Sequence, residues 1–337
     1  MTKEYVYLEK LTESSKELVK NFNNNSEIEQ ESIICEICNS KDFKILFNND
    51  RYGIKLSTGY CNKCGFVFVN PRMTKKSAEF FYNSDTYRIL YGDALNENDL
   101  YKSSLEQLKK HCPILPKTPN FQKYYYNLYF DFINNEISDY ETVLDIGTGK
   151  GKKLIDFEFI GKKAEGIEPS KTYNKIHNEL NLNSKIGFID DINKQYDLVV
   201  LSHVFEHLTD LDNAVKKLFN ITKKYLFIEV PGHVKKLQSI QNAHNYYFSL
   251  NTLNHFILKN YFKLIKIDYA RDNEFILALY EKSENNLNYD FDHDLEKKII
   301  KKIYADYTLK FYLHKFFEIT KTKKIVSYFY NKIKKNK

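Results

Sequence analysis

Val143 to Gly151 reads V-L-D-I-G-T-G-K-G: three apolar residues around a single acid, Asp145, then glycine at positions 147, 149 and 151. A short apolar run that ends in glycines has the character of a buried parallel strand turning into a helix. Glycine is required where the backbone turns tightly and comes close to a ligand, because a Cβ would collide. A dinucleotide loop wants G-x-G-x-x-G; here the third glycine arrives one residue early and Lys152 fills its place. The P-loop pattern G-x-x-x-x-G-K-[ST] is absent as well. Alone, the stretch is also compatible with an ordinary tight strand-to-helix turn.

The flanking sequence alternates helix and strand. Tyr125, Leu128, Tyr129, Phe132 and Ile133 share one helix face ahead of the glycine stretch, and after it Leu154–Ile160 opens a helix that Gly161 stops. A-E-G-I-E-P-S (164–170) is a short strand ending in Glu168, about 20 residues beyond the glycines, where an acid suits the two hydroxyls of a ribose. Ser170 is placed to cap the following helix. Further strands are expected at 185–192, 196–202 and 225–232, and a closing antiparallel pair at 262–269 and 274–280. Leu211, Ala214, Val215 and Leu218 form the face of an intervening helix. The fold class that follows is α/β, a Rossmann-like, doubly wound sheet of seven strands.

Together, the acid before G-x-G-x-G, the second acid at Glu168 and the block S-H-V-F-E-H-L-T-D (202–210) resemble the class I S-adenosylmethionine-dependent methyltransferases. The resemblance covers roughly the middle half of the chain. It implies S-adenosylmethionine as cofactor, with the glycine loop passing under its methionine part. Asp145, Gly147, Gly149, Gly151 and Glu168 are the expected cofactor residues, joined by Ser202 at the end of the fourth strand. Asp190 or Asp191 is expected at the adenine edge, and the sequence does not choose between them.

Cys35, Cys38, Cys61 and Cys64 have the spacing C-x2-C-x22-C-x2-C. Two such knuckles close four thiolates into a tetrahedron around structural Zn²⁺, leaving no position for a catalytic water. Gly65, directly after the second pair, suits the sharp turn of a knuckle. D-R-Y-G (50–53), C-G-F-V-F-V-N-P-R (64–72) and the following aromatic stretch resemble the N-terminal zinc domain of bacterial methyltransferases, many of which act in surface-polysaccharide or sugar-modification pathways. The expected organisation is an N-terminal helix (1–30), with Leu8, Leu11, Leu18, Val19 and Phe22 on one face; a zinc-binding module (31–72); a helical connector with a proline-rich linker (73–120); the methyltransferase domain (121–282); and a basic, aromatic-rich helical tail (283–337).

The chain has 337 residues, 42% of them hydrophobic, and a net charge of +7, enough to build a core and too little charge to argue for a nucleic-acid partner. Its start shows no apolar secretory region, and paired cysteines fit a reducing compartment, so a cytoplasmic location is expected. Cys112, outside the pairs, reads as a small buried side chain. The tail offers lysines and interleaved aromatics to an acidic membrane surface or a partner; the plainer reading packs its aromatics on the sheet and solvates its lysines. The N-terminal helix reads as a packing element or a homo-oligomer contact.

Methyl transfer to a hydroxyl or carbon acid calls for a positioned base beyond the carboxyl ends of the strands. His203 and Glu206 follow the fourth strand, His233 follows the fifth, and His244 and Tyr246 lie in N-A-H-N-Y-Y-F-S-L-N-T-L (242–253). This segment resembles the H-x-x-Y-F-S acceptor-pocket stretch of zinc-containing sugar methyltransferases. His203 or His244 is the expected base, with Tyr246 and Glu206 orienting the acceptor, while His207 is expected to be structural. The function that follows is methylation of a small polar acceptor, a sugar or nucleotide-linked sugar. Two alternatives stand beside it: an RNA methyltransferase gripping phosphate through the cysteine module and tail, and a non-catalytic scaffold in a biosynthetic assembly.

Overall fold

The structure is a computed structural model that describes residues 13–83, 87, 97–111, 128–232, 240–241, 243–271, 273–285 and 289–320. Leu8, Leu11, Cys112, the 113–119 linker, Tyr125, His233 and the tail beyond 320 lie outside the described residues. Among the described residues no helix is long and apolar enough to cross a membrane.

The N-terminal part comprises α1 (Glu13–Asn23), β1 (Gln30–Glu31), β2 (Phe43–Asn49), β3 (Lys55–Cys61), β4 (Val67–Val69), β5 (Arg72–Met73) and α2 (Lys75–Asn83). Then come α3 (Glu97–His111) and α4 (Leu128–Asn134), followed by alternating elements: β6 (Thr142–Ile146), α5 (Lys152–Phe159), β7 (Lys163–Glu168), α6 (Lys171–Glu179), β8 (Ser184–Ile186), β9 (Tyr196–Ser202), α7 (Leu211–Ile221) and β10 (Thr222–Pro231). The chain continues through β11 (Tyr246–Tyr247), α8 (Leu250–Leu258), β12 (Phe262–Ala270), β13 (Phe275–Lys282) and α9 (His293–Thr320).

The main sheet has seven strands in the order β12-β13-β10-β9-β6-β7-β8, parallel from β10 to β8 and antiparallel on both sides of β13. Its central strands are apolar on both faces because both faces are covered. On β9, Leu198 and Val200 pack with Val143 and Phe227 on one side, while Val199 and Leu201 pack with Leu144 and Leu226 on the other. The second layer also contains Cys35, Cys61, Cys64, Phe66 and Phe68, so the cysteine module packs directly on the methyltransferase-like sheet.

Two expectations are corrected. The strand expected at 185–192 ends at Ile186, because the Asp191 carboxylate accepts the Phe188 N–H at 2.8 Å and closes a 3₁₀ turn at Ile189–Asp191. The cysteine module is also not complete by residue 72: β11, far along the chain, pairs antiparallel with β4 and finishes the sheet β11-β4-β3-β2. At its other side the start of α9 packs on the module, with Ile300 buried against Leu46, Val67 and Tyr247.

Candidate active site

The glycine loop leaves the carboxyl end of β6. Gly147, Gly149 and Gly151 all have positive φ (65°, 56° and 89°), a region that L side chains avoid. A Cβ on Gly147 would lie 2.5 Å from Val204 Cγ2. The Gly147 N–H donates to Ile167 O at 2.8 Å, tying the loop to β7. Asp145 is fully buried and accepts from Thr148 Oγ1 at 2.7 Å; burial raises its pKa above the usual carboxylate range. Asp145 and Gly151 thus shape the loop from behind, since neither lines the cavity in front of it.

Glu168 stands at the end of β7, fully buried at its edge of the cavity. Its carboxylate accepts from Gly149 N at 2.8 Å and from Ser170 N at 2.9 Å, while Ser170 caps α6 through Tyr173 N. The carbonyl of Gly149 is held from the other side by His177 on α6, whose Nε2 donates to it at 2.9 Å. Ser184 Oγ lies 2.7 Å from His177 Nδ1, and burial pushes this imidazole down to about 4, so it stays neutral. Sequence reading missed His177: a lone polar residue in a helix carries no signal of what it faces.

In front of the loop lies a cavity of about 440 Å³, within the size range of small-molecule sites. Gly147, Gly149, Glu168, Asp190 and Ser202 line it; Asp191 does not, being spent on its turn. The opposite wall is α2, through Lys75, Ala78, Glu79 and Tyr82. Lys75 reaches Asp190 at 2.5 Å, an exposed pair of small energetic weight. The wall from α2 was not legible, because its aromatic face reads as ordinary packing. A loop of glycines at positive φ, with no room for a Cβ at Gly147, and a buried acid at the end of the neighbouring strand fit a nucleoside ligand such as S-adenosylmethionine.

A second chamber, of about 180 Å³, adjoins the first and shares His203, His207 and Tyr87 with it. Arg51, Gln241, His244, Tyr247 and Phe275 complete its walls. Arg51 is presented by the D-R-Y-G turn, in which Asp50 Oδ1 accepts from Tyr52 N and Ile54 N, both at 2.8 Å. The Arg51 guanidinium donates to Gln241 Oε1 at 3.2 Å, while its Nε is buried without a hydrogen-bond partner.

His203 sits in the left-handed region, φ 55°, directly after β9, with its N–H on Glu229 O at 2.9 Å. Strained non-glycine backbone of this kind concentrates at functional sites. Its Nδ1 lies 3.4 Å from Glu206 Oε1. Burial opposes its protonation, but Glu206 and Glu229 outweigh burial and raise its pKa.

His244 is buried, and its Nε2 faces Glu206 Oε1 at 3.8 Å and the Gln241 amide. His207 packs against the 243–244 segment, its Nδ1 2.7 Å from Ala243 O. Asn245 registers the two segments: its N–H donates to Glu206 O at 2.8 Å, and its side chain to His207 O and Leu208 O. Tyr246 departs from the expected acceptor-orienting role. It is buried, lines neither cavity, donates its hydroxyl to Glu36 and accepts from Arg72, binding the β11 segment to the cysteine module.

The four cysteine sulfurs converge, Cys35 to Cys64 at 3.4 Å and Cys38 to Cys61 at 3.5 Å. Sulfurs about 2.3 Å from a tetrahedral Zn²⁺ stand about 3.8 Å apart, so the donor set fits with small expansion. Each knuckle ends in a left-handed residue after its second cysteine, Asn39 (φ 56°) and Gly65 (φ 86°). Asn39 carries the same turn without glycine, so only one of the two was legible.

Residues 121–267 match the family model described as a methyltransferase domain. Among solved structures, an S-adenosylmethionine-dependent methyltransferase of Archaeoglobus fulgidus is similar at 17% identity, covering 54% of this chain and 94% of that one, TM-score 0.39. A putative S-adenosylmethionine-dependent methyltransferase of Listeria monocytogenes gives 16%, 46%, 98% and 0.39 for the same measures. No curated protein matches the sequence at a significant level. The seven-stranded sheet order, with the glycine loop and the acid at its partner strand, agrees with that match: residues 121–267 form a methyltransferase-type domain of Rossmann-like fold.

Proposed function

We propose that the chain methylates a hydroxyl of a small polar acceptor, a sugar or nucleotide-linked sugar, held in the chamber beside the cofactor cavity. The observation that supports this is the chamber itself: about 180 Å³, with Arg51, Gln241 and three histidines set among aromatic side chains, and adjoining the cofactor cavity at His203 and His207. S-adenosylmethionine supplies an activated methyl group when bound. Gly147, Gly149 and Glu168 hold the cofactor, and α2 excludes water from it. Arg51 lines this chamber, and its guanidinium, which already donates to Gln241, is a group suited to a hydroxyl or to the phosphate of a nucleotide-linked sugar. His203, lining both cavities and 40% exposed, is the group placed to take the hydroxyl proton; His244, 10% exposed, lines the acceptor chamber alone. The four cysteines hold one structural Zn²⁺.

Transfer of labelled methyl groups to a panel of nucleotide-linked and free sugars tests the acceptor class. No sugar product, with structured RNA labelled instead, would overturn it. His203→Asn is expected to lower kcat by about 10²-fold while S-adenosylhomocysteine affinity stays at wild type. Undiminished kcat would remove His203 from the reaction.

A further inference from the structure

We infer that Glu206, His207 and His244 form a second metal site, for a divalent first-row transition ion, on the wall of the acceptor chamber. Glu206 is 1% exposed, and neither of its carboxylate oxygens has a hydrogen-bond partner. A buried carboxylate is stable only when paired, hydrogen-bonded or on a metal. Around its Oε1 stand His207 Nε2 at 3.9 Å, His244 Nε2 at 3.8 Å and, on the open side, His203 Nδ1 at 3.4 Å. The ligand atoms of Glu206, His207 and His244 all lie within 4.8 Å of one another.

The surroundings have the form of a ligand shell. The Nδ1–H of His207 donates to Ala243 O, assigning the proton to that nitrogen and leaving the Nε2 lone pair facing Glu206. A backbone carbonyl on the second nitrogen is the usual way a metal-binding imidazole is oriented. Asn245 ties the two ligand segments together through Glu206 O, His207 O and Leu208 O. Donors about 2.1 Å from a tetrahedral ion stand about 3.4 Å apart, so closing from 3.8–3.9 Å takes a shift of about half an ångström. The Gln241 amide, now against His244 Nε2, is the group an ion would displace.

Two imidazoles and one carboxylate leave coordination positions free, unlike four thiolates. This donor set suits Mn²⁺, Fe²⁺, Co²⁺ or Zn²⁺, and His207 and His244 both line the acceptor chamber. An ion there would meet an oxygen of the acceptor. That role rests on the proposed function; the binding of the ion does not.

Titration of the full chain with Mn²⁺, its four-cysteine site left loaded, is followed by loss of the free-ion paramagnetic resonance signal. About one Mn²⁺ per chain is expected, with Glu206→Gln and His244→Ala each weakening it at least about tenfold while S-adenosylhomocysteine still binds. The inference is overturned if the wild-type chain takes up no Mn²⁺, Fe²⁺, Co²⁺ or Zn²⁺ beyond the cysteine site, a result that needs no variant to fold. It is equally overturned if both variants bind as wild type, leaving Glu206 as the plain counter-ion of His203. Metal uptake without turnover on any sugar supports the site and counts against the acceptor class alone.

Discussion

Acidification should loosen the glycine loop through His177. This imidazole is fully buried between α6 and the loop, and burial holds its pKa at about 4 against an ordinary 6.5. The folded value lies below the unfolded one, so as pH falls the unfolded chain takes up the proton first. Stability is therefore whole above about pH 6.5 and drains away between that value and about 4. A gap of about 2.5 pH units at about 1.4 kcal/mol each amounts to about 3 kcal/mol, of which about 2 kcal/mol is gone by about pH 5. His255, also pushed down to about 4 by burial, acts in the same direction, and Asp145 in the opposite one, so a single pH profile does not isolate His177. A difference does. His177→Gln keeps a donor for Gly149 O and does not titrate. Urea unfolding of both proteins at about pH 7 and about pH 5 should show wild type losing about 2 kcal/mol more than the variant. Parallel losses would refute the reasoning.

Gly147→Ala places a Cβ 2.5 Å from Val204 Cγ2 at a φ of 65°, so S-adenosylhomocysteine affinity should fall by more than about tenfold in calorimetry; wild-type affinity would mean the loop is not the cradle. Arg51→Ala removes the donor facing the acceptor chamber, and KM for the acceptor should rise about tenfold or more with cofactor affinity unchanged; an unchanged KM would place the acceptor elsewhere. Treating the protein with a chelator, or substituting Cys61→Ser, should abolish acceptor turnover but spare S-adenosylhomocysteine binding, as expected if the four cysteines hold zinc. Zinc content well below one per chain in protein with full turnover would count against a metal at the four cysteines.

The parallel core was legible because its residues report their surroundings directly. Strands buried on both faces are apolar through their middle, as in V-V-L of β9 and L-F-I of β10. Glycine spacing and paired cysteines carry their own geometry. What stayed hidden depends on partners distant in sequence. β11 is two residues long and has no periodicity to display, and only its pairing with β4 makes it a strand. Tyr246 looked available until Glu36 and Arg72 were brought to its hydroxyl from more than 170 residues away. His203 could be placed at a strand end, but nothing in the sequence marks its left-handed backbone.

These long-range contacts explain why the cysteine module belongs to the active site. The segment carrying His244 has no helix or long strand of its own to hold it. At Asn245 it is pinned to the Glu206–Leu208 turn of the methyltransferase domain; one residue later it becomes the edge strand of the cysteine module's sheet. Arg51 comes from that same module and meets Gln241 across the chamber. The acceptor chamber therefore has one wall from each part of the chain, whereas Gly147, Gly149 and Glu168 belong to the methyltransferase domain alone. The glycine-loop side of the cofactor cavity and the acceptor chamber are thus built on partly separable supports, α2 closing the cofactor cavity from the N-terminal part. Variation in the cysteine module should alter what is methylated before it alters whether S-adenosylmethionine binds.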